Sequence, residues 1–403
     1  MHILIVTHYF YPEQFRINDL ALELKARGHQ VTVLTGLPNY PKGEWMNGYG
    51  YGSIGDEDWQ GVRIVRVPTL RRAAGKGWQL ALNYASFVFS ACVLAPFWCR
   101  DDYDVIFTYE PSPFTVGIPA AMLRYLRRAP MIFWVQDLWP ESLAAAGAVR
   151  SPRVLRWVGH VVRWIYQRCD LVLVQSRAFI EPAVAAGARR EDVRYFPNWA
   201  ESSFLPVAAP KKRQVPAGFV VMFAGNMGEA QSLLTIVAAA ARLRHVADIQ
   251  WVMIGDGRRM AWMQEAVQDQ GLQTCVHFLG RHPTSSMPSF FAQADALLVT
   301  LKADPVFAQT IPSKVQSYLA CGKPILAALN GEGATVVKQS GGGIAVAAED
   351  DAALADAVLQ LYNMPSEQRT TMALSARRYF EETFQQEQLI DQLLQWMQNV
   401  HRG

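Results

Sequence analysis

Short apolar runs alternate along the chain with longer stretches that have helical periodicity. In the first half, the helical stretch at residues 18–29 closes with Gly28, a residue typical of helix ends. Runs this continuously apolar are typical of parallel strands that are buried on both faces of a sheet. The strands predicted in this half are 3–7, 31–35, 62–67, 104–109, 131–135 and 170–174.

The same alternation restarts after an irregular segment. Residues 201–217 contain three prolines and a basic triplet without any period, so we predict a linker there. The strands predicted beyond it are 219–225, 249–255, 275–280, 296–301, 324–329 and 343–347. A chain of 403 residues is too long for one ordinary core. We therefore predict two doubly wound α/β domains, 1–200 and 218–375, followed by a C-terminal helix at 376–403.

Composition narrows the function classes. The net charge of +3 argues against a dedicated nucleic-acid binder, although residues 1–200 carry 22 Lys and Arg against 17 Asp and Glu, which favours any anionic partner there. The five cysteines include no CxxC pair and lie in apolar stretches, so we expect neither disulfides nor a zinc site, and a reducing cytosolic location. The first residues are strand-like and lack a basic signal-peptide region, so we expect no signal peptide.

Small residues end several strands of the second half, where open α/β sheets bind ligands. A phosphate also suits a helix N-terminus, and Pro312-Ser313-Lys314 predicts such an end with a cation beside it. The glycines alone are equally typical of turns. The strand-end candidates for nucleotide binding are Gly225, Asn226, Gly255, Asp256, Gly257, Arg258, Gly280 and Arg281.

The first half offers acids and polar residues at its strand ends. Asp137 follows the strand 131–135 and is our candidate for the group that accepts the proton of a hydroxyl or positions it; a cap on a helix beginning near Pro140 is the alternative. Glu13 is a second catalytic candidate. Five residues that follow the first, second and fourth predicted strands are candidate acceptor contacts, with ordinary loop roles equally open: His8, Tyr9, Asn39, Tyr40 and Glu110.

Metal chemistry has little support in the sequence. The run Asp56-Glu57-Asp58 resembles a metal-binding DxD string, but it lies among glycines, and we interpret it as a solvated loop. We therefore expect no metal.

Two stretches point to a membrane surface. Residues 78–99 carry no charge and are long enough for a span, but a polar stripe and Pro96 favour a buried or membrane-surface helix. Residues 151–170 place Arg153, Arg156, His160 and Arg163 on one helix face, with tryptophans at its border. Such a helix is typical of anionic lipid surfaces, although a solvated basic face is the alternative.

Several motifs resemble one enzyme family. The runs FAGNMG, VMIGDGRRM, VHFLGRHP and SYLACGKPILA, together with HYFYPE, DLWPES and PNWAE, resemble the family-4-type retaining glycosyltransferases over nearly the full chain. The resemblance implies the GT-B fold, in which two Rossmann-like domains face each other across a cleft and the last helix crosses back. Within the family, the motifs resemble bacterial O-antigen and capsule transferases of the N-acetyl-L-fucosamine-transferring kind.

The resemblance also implies substrates and location. It implies a nucleotide-sugar donor with UDP as the expected nucleotide, a polyprenyl-linked glycan acceptor in lipopolysaccharide O-antigen or capsule biosynthesis, retention of configuration and no cofactor. It implies a peripheral protein on the cytoplasmic face of the inner membrane. Two glutamates that the family usually carries are replaced here by Gln309 and Ser317, which we expect, with Thr310, to make neutral contacts to the nucleotide.

Other function classes remain open at this stage. A dinucleotide oxidoreductase would want GxGxxG after a first strand, and neither domain supplies it. A nucleotide-sugar epimerase could use the same architecture. A non-catalytic scaffold of a polysaccharide assembly complex is the sharper alternative, because both family glutamates are absent.

Overall fold

The computed structural model describes residues 1–402 except 74, 146–148, 150 and 202. The chain divides into two compact units. Unit 1 contains Met1–Pro197 and Ile390–Gly403, and unit 2 contains Asn198–Leu389. Each unit is built on one largely parallel sheet with helices, which confirms the predicted α/β class.

Eight strands form the sheet of unit 1: β1 (His2–Thr7), β2 (Gln30–Thr35), β3 (Gly55–Trp59), β4 (Val62–Arg66), β5 (Val105–Glu110), β6 (Met131–Val135), β7 (Leu171–Val174) and β8 (Val193–Tyr195). Their order is β3-β4-β2-β1-β5-β6-β7-β8. β3 pairs antiparallel with β4, and the other neighbours pair in parallel. The helices are α1 (Arg16–Ala26), α2 (Gly77–Trp98), α3 (Gly117–Arg127), α4 (Glu141–Ala145), α5 (Pro152–Tyr166) and α6 (Ile180–Ala185).

The six strands predicted for this half are all present, but the interpretation of residues 56–58 as a loop was wrong. They lie in the edge strand β3, where exposure alternates along the strand. Asp56 accepts hydrogen bonds from Arg63, and Glu57 accepts one from the buried Arg66. Charged residues are common on edge strands because they discourage pairing with another chain. The run therefore has a structural explanation.

One face of the unit 1 sheet is covered by α2, α3, α5 and α6. Side chains of these helices share one apolar core with the strands, among them Phe87 of α2, Leu123 of α3 and Val162 of α5. The apolar side of α5 thus packs inward, as its periodicity predicts, and its basic side lies outward.

Helix α2 differs from an ordinary surface helix because it is apolar on its exposed side as well as on its buried side, which includes Phe87, Ala91 and Ala95. Its polar Asn83 is buried, whereas five large apolar side chains are exposed by 47–70 %: Trp78, Leu82, Phe89, Val93 and Phe97. Among the described helices, α2 is the one that is long and apolar enough to cross a membrane, and only 22 % of its apolar window is buried. Of the two arrangements expected for this stretch, a buried helix and a membrane-surface helix, the buried one is therefore wrong.

Six parallel strands form the sheet of unit 2: β9 (Phe219–Ala224), β10 (Ile249–Ile254), β11 (Val276–Gly280), β12 (Ala296–Thr300), β13 (Ile325–Ala328) and β14 (Gly343–Val346). Their order is β11-β10-β9-β12-β13-β14. The remaining helices are α7 (Leu233–Arg242), α8 (Met260–Asp269), α9 (Met287–Phe291), α10 (Pro305–Gln309), α11 (Ser313–Ala320), α12 (Glu332–Gln339), α13 (Asp351–Asn363), α14 (Ser366–Thr383) and α15 (Gln386–Arg402).

The ends of unit 2 differ from the predicted boundaries. The segment predicted as a linker, 201–217, belongs to unit 2, where Phe204 and Val215 are buried in its core. The C-terminal stretch forms two helices, α14 and α15, with the buried Phe384 between them. From Ile390 onward α15 belongs to unit 1. Single apolar side chains within irregular segments, such as Phe204, Val215 and Phe384, pack into a core and so set these boundaries. The composition of a segment does not show which of its side chains will be buried.

Candidate functional site

The carboxyl edge of the unit 1 sheet gathers the predicted acceptor residues. Thr7 of β1 pairs with Tyr109 of β5, and Glu110 pairs with Val135 of β6, so the residues that follow these strands emerge side by side. The chain leaves β1 toward β2 on one side, and β5 lies on the other. Such a point, where the strand order switches direction, is where open α/β sheets bind ligands.

Glu110 anchors the loop that follows β6. Its side chain is fully buried, and its Oε1 accepts a hydrogen bond from Trp139 Nε1 at 2.7 Å. Its Oε2 accepts from the backbone N–H groups of Gln136 and Asp137, at 3.2 and 3.4 Å. Burial, and next the charge of Asp137, raise the pKa of Glu110 well above its ordinary value. Glu110 thus lies beneath the loop and positions it.

Asp137 is partly buried, and its carboxylate accepts no hydrogen bond from the residues that the structure describes. The first turn of α4 is satisfied without it, because Ser142 N–H donates to Leu138 O and Leu143 N–H donates to Pro140 O. Burial raises the pKa of Asp137 to about 6. A carboxylate without partners, with a pKa near neutrality, suits proton transfer or the orientation of a hydroxyl group.

Glu13 joins two loops of this edge. Its buried Oε1 accepts hydrogen bonds from the backbone N–H groups of Asn39 at 2.8 Å and Tyr40 at 2.7 Å. Burial outweighs these bonds and raises the pKa of Glu13 to about 7. The Asn39 side chain donates to Leu37 O and accepts from Arg72 N–H. Glu13 and Asn39 therefore hold the loop, and Tyr40, which is 40 % exposed, is its accessible member.

His8 connects this edge with α2. Its Nε2 lies 3.0 Å from Asn83 Oδ1, and Asn83 Nδ2 donates to Leu70 O. Because Asn83 donates there, its oxygen accepts the proton on His8 Nε2, a tautomer that we assign from this network. Burial lowers the pKa of His8 to about 3, so the ring is neutral. The buried Tyr9 stacks on Phe15, with ring centroids 5.2 Å apart.

Glycines in unit 2 allow the loops after β9 and β10 to touch. Gly225, Gly255 and Gly257 have φ values of +135°, +127° and +155°. A Cβ on Gly255 would lie 2.0 Å from Gly225 O, and one on Gly257 would lie 2.5 Å from Met227 O. Gly255 N–H also donates to Gly280 O at 2.8 Å. Close packing of these loops therefore accounts for the glycines.

Lys314 lies in the first turn of α11 without an anionic partner. Its Nζ donates to Gln231 Oε1 at 2.6 Å and lies 3.6 Å from the centroid of the Phe223 ring. A Cβ on Gly225 would lie 2.7 Å from its Cε, so the side chain lies across that glycine. No carboxylate of the described residues lies within 4 Å of Nζ, and burial lowers the pKa of Lys314 to about 7.

The other predicted nucleotide contacts are more dispersed. Asp256 and Arg281 form a long, exposed ion pair of 3.8 Å. Ser317 lies three residues after Lys314 and so shares its side of α11. Gln316, in contrast, is buried and donates to Asn198 O. The rest line the loops and helix ends of this unit: Asn226 and Arg258 are exposed, Gln309 ends α10, Thr310 Oγ1 donates to Phe307 O, and Ser313 begins α11.

Two polar residues near these loops, Lys302 and Gln231, were not predicted. Glu229 accepts a hydrogen bond from Lys302 Nζ at 3.0 Å, and its other oxygen lies 3.3 Å from Arg259 Nε. These three residues and Trp262 line a cavity of about 380 Å³. Lys302 stands just after β12, so the strand-end rule could have found it. Gln231, the partner of Lys314, gave no such signal.

The described residues contain no group of three or more His, Cys, Asp and Glu side chains that could hold a metal ion. The five cysteines are unpaired, and four of them are buried.

Two family models match most of the chain. Residues 14–199 match the model described as a glycosyl transferase 4-like domain, and residues 218–364 match the model described as glycosyl transferases group 1. The first match covers unit 1 from α1 to the end of its sheet, without β1, and the second covers the sheet of unit 2.

Two named proteins are similar in sequence. WcaI of Escherichia coli strain K12, named as a colanic acid biosynthesis glycosyl transferase, is 27 % identical over 388 residues, which cover 92 % of each chain. WbjE of Pseudomonas aeruginosa, named as a glycosyltransferase, is 26 % identical over 286 residues, which cover 68 % of this chain and 70 % of WbjE.

Solved structures share the fold. Anabaena HepE in complex with UDP superposes with a TM-score of 0.71 at 16 % identity, covering 99 % of this chain and all of HepE. HepE has also been solved with UDP-glucose, and that structure superposes with a TM-score of 0.67. With its two matched domains, its GT-B fold and its similarity to proteins of glycan biosynthesis, the chain belongs to the group 1 glycosyltransferases.

Proposed function

We propose that this glycosyltransferase moves a sugar from a UDP-linked donor to a polyprenyl-linked glycan of a bacterial surface polysaccharide, with retention of configuration. The motifs that resemble N-acetyl-L-fucosamine transferases favour an N-acetylated deoxyhexosamine as the sugar. The names of the relatives, one of which refers to colanic acid, support polysaccharide synthesis as the setting. The UDP complexes of HepE support UDP as the nucleotide.

Lys314 carries the donor half of this proposal. A partly buried ammonium group normally has a carboxylate partner, because desolvation of a charge is costly. Lys314 has only the neutral Gln231 and a ring face, so its environment is completed by an anion. A diphosphate supplies that anion at the N-terminus of α11, where backbone N–H groups also favour negative charge.

In the proposed reaction the protein stabilises the charge of the leaving diphosphate and positions the acceptor hydroxyl. The bond between the donor anomeric carbon and the diphosphate oxygen breaks as the bond to the acceptor hydroxyl oxygen forms on the same face. The diphosphate takes the electron pair, and Lys314 stabilises its charge. The acceptor proton moves to the departing phosphate oxygen. Asp137 orients the hydroxyl through its unpartnered carboxylate, and the reaction requires no metal in this scheme.

We also propose that unit 1 binds the cytoplasmic surface of the inner membrane. The supporting observation is the exposed apolar face of helix α2, whose aromatic side chains Trp78, Phe89 and Phe97 would otherwise face water. Basic residues flank this helix, with Arg71, Arg72 and Lys76 before it and Arg100 after it. An apolar face with basic flanks is suited to an anionic bilayer surface.

Calorimetric titration tests the donor half first. We expect micromolar binding of UDP, weaker binding of GDP, ADP and TDP, and loss of binding in Lys314→Ala. Transfer from the matching UDP-sugar, with the anomeric proton of the product followed by NMR, then tests retention. Absence of nucleotide binding would contradict the proposal and favour a non-catalytic scaffold.

A further inference from the structure

A cavity of about 550 Å³ lies in unit 1 between α4, α5 and α6. Its basic lining comes from three residues of α5 at positions i, i+4 and i+7, namely Arg156, His160 and Arg163. Residues with this spacing share one helix face, so all three can reach one ligand. The cavity also has an apolar part, which is lined by Leu155, Pro182, Ala185 and Ala186.

The positive charge of this cavity is largely uncompensated. α5 contains no acidic residue, and neither Arg156 nor Arg163 has a carboxylate within 4 Å in the part of the chain that the structure describes. Glu141 is the one acidic residue of the described lining. Arg163 is held in place, because its Nη2 donates to Ala185 O at 3.2 Å. Two guanidinium groups against one carboxylate leave the site suited to a multivalent anion.

A glycine of α5 lines this cavity. Gly159 lies within α5, where glycine costs about 1 kcal/mol relative to alanine. A Cβ built at this position meets no atom within 4 Å, so neither a turn nor close packing explains the residue. Gly159 lines the cavity between Arg156 and His160, and any larger side chain there would project into the available space.

The cavity adjoins the loop that carries Asp137. Trp139 and Pro140 form one of its walls, and Trp139 is fixed by its hydrogen bond to Glu110. The same Glu110 carboxylate accepts a hydrogen bond from the backbone N–H of Asp137. Two residues span at most about 7 Å, so the backbone of Asp137, the proposed hydroxyl-orienting group, lies within about 7 Å of the Trp139 Cα.

We infer that this cavity is a phosphate-binding site for the diphosphate of the lipid-linked acceptor. The inference rests on the proposed function, because a polyprenyl-linked glycan carries a diphosphate next to its first sugar. The arginines hold the diphosphate, the sugar extends toward Asp137, and the chain leaves along the apolar part. Trp157 and Trp164 of α5, exposed by 62 % and 38 %, border the helix as residues typical of a membrane interface.

The first test is a titration of inorganic pyrophosphate into the full-length Lys314→Ala variant, in which the proposed donor site is disabled. We expect binding that weakens at least tenfold in Arg156→Gln/Arg163→Gln and in Gly159→Leu, which places a bulky side chain between the basic residues without changing their charge. Arg153→Gln/Arg168→Gln removes the same charge from α5 and from the residues just after it, outside the cavity, and should change affinity less than threefold. Equal weakening in both double variants, or unchanged binding in Gly159→Leu, would overturn the site.

The second test identifies the source of the phosphate. Phosphatidylcholine vesicles that contain polyprenyl diphosphate should bind the wild type more tightly than vesicles of equal charge that contain phosphatidylglycerol, and Gly159→Leu should abolish the preference. Pyrophosphate binding without this preference would overturn the lipid assignment in favour of a soluble phosphate compound. UDP is also titrated into each cavity variant with Lys314 intact. UDP binding without a pyrophosphate site would contradict this inference alone and leave the proposed donor site standing.

Discussion

Trp139 Nε1 donates a hydrogen bond to Glu110 Oε1 at 2.7 Å, and both side chains are buried. Through this bond the end of β5 fixes the loop after β6, which carries Asp137 and forms a wall of the α5 cavity. A local change in this pair should therefore affect both the stability of unit 1 and the geometry of its proposed acceptor site.

We expect Glu110→Gln to destabilise the protein by about 1–3 kcal/mol. Three donors face the Glu110 carboxylate, and an amide would direct its own N–H₂ group at one of them, leaving buried donors without an acceptor. Urea unfolding measures the loss. In a double-mutant cycle with Trp139→Phe, the coupling should reach about 1 kcal/mol. Additive effects would contradict this role for the pair.

Nucleotide binding should take up a proton at pH 8. The pKa of Lys314 is lowered to about 7, so the free amine is mostly neutral at pH 8, and a bound diphosphate raises its pKa. The complex then holds more protons than the free protein above pH 7, and affinity falls as pH rises. Titration calorimetry in buffers with different ionisation enthalpies should report close to one proton per UDP at pH 8 and little at pH 6.

UDP affinity should depend on the absence of a carboxylate beside Lys314. Gln231→Glu keeps the side-chain shape but provides Lys314 with a permanent partner. We expect greater stability of the free protein, by roughly 1 kcal/mol, loss of the proton uptake and at least tenfold weaker UDP binding. Gln273→Glu, which places a charge at an exposed position of the same unit outside the candidate site, tests whether any added acid has this effect. Tighter UDP binding by Gln231→Glu would contradict the proposed site.

The exposed face of α2 should control membrane binding without affecting folding. Trp78→Gln/Phe89→Gln/Phe97→Gln removes three aromatic side chains that are exposed by 61–70 %. Because burial of one such side chain in a bilayer is worth about 1.5–3 kcal/mol, we expect binding to anionic vesicles to fall at least tenfold. Each substitution should change the free energy of unfolding by less than about 0.5 kcal/mol.

A matched control for α2 comes from exposed apolar residues elsewhere. Tyr51, Leu234 and Leu374 are exposed by 57–65 %, and their replacement by glutamine should leave vesicle flotation unchanged. Equal loss in the two triple variants would indicate general surface hydrophobicity instead of a membrane-binding helix.

His8 should make the protein sensitive to mild acid. Its pKa in the folded protein is lowered to about 3, whereas the unfolded chain has the ordinary value near 6.5. Between these values the unfolded state binds the extra proton, so the His8 contribution to stability falls as pH decreases below 6.5, by at most about 1.4 kcal/mol per pH unit. Urea midpoints between pH 5 and 7.5 should depend less on pH in His8→Gln than in the wild type. His160→Gln, at an exposed histidine, should retain the wild-type slope.

Much of the architecture follows from local patterns. The twelve strands predicted from apolar runs between helical stretches are all present. A parallel strand that is buried on both faces can be recognised from its own continuous run of apolar side chains, without knowledge of the strands it pairs with. The edge strand β3 was missed because an edge is half-solvated, and its charges made it look like a loop. The strand-end rule likewise predicted that His8 and Asp137 lie at one edge of a sheet, since the carboxyl ends of parallel strands meet there, and the helix-start pattern predicted Lys314 in the first turn of α11.

What the sequence by itself determined is the α/β class, the strands and the positions where chemistry is possible. The tertiary structure decided what each residue does there, because the partners are distant along the chain. Lys314 meets Gln231, 83 residues away, and Glu110 meets Trp139, 29 residues away. It also decided which of the apolar faces of α2 is exposed and that the basic side of α5 lines a cavity, since helical periodicity identifies faces but only packing determines which face is buried.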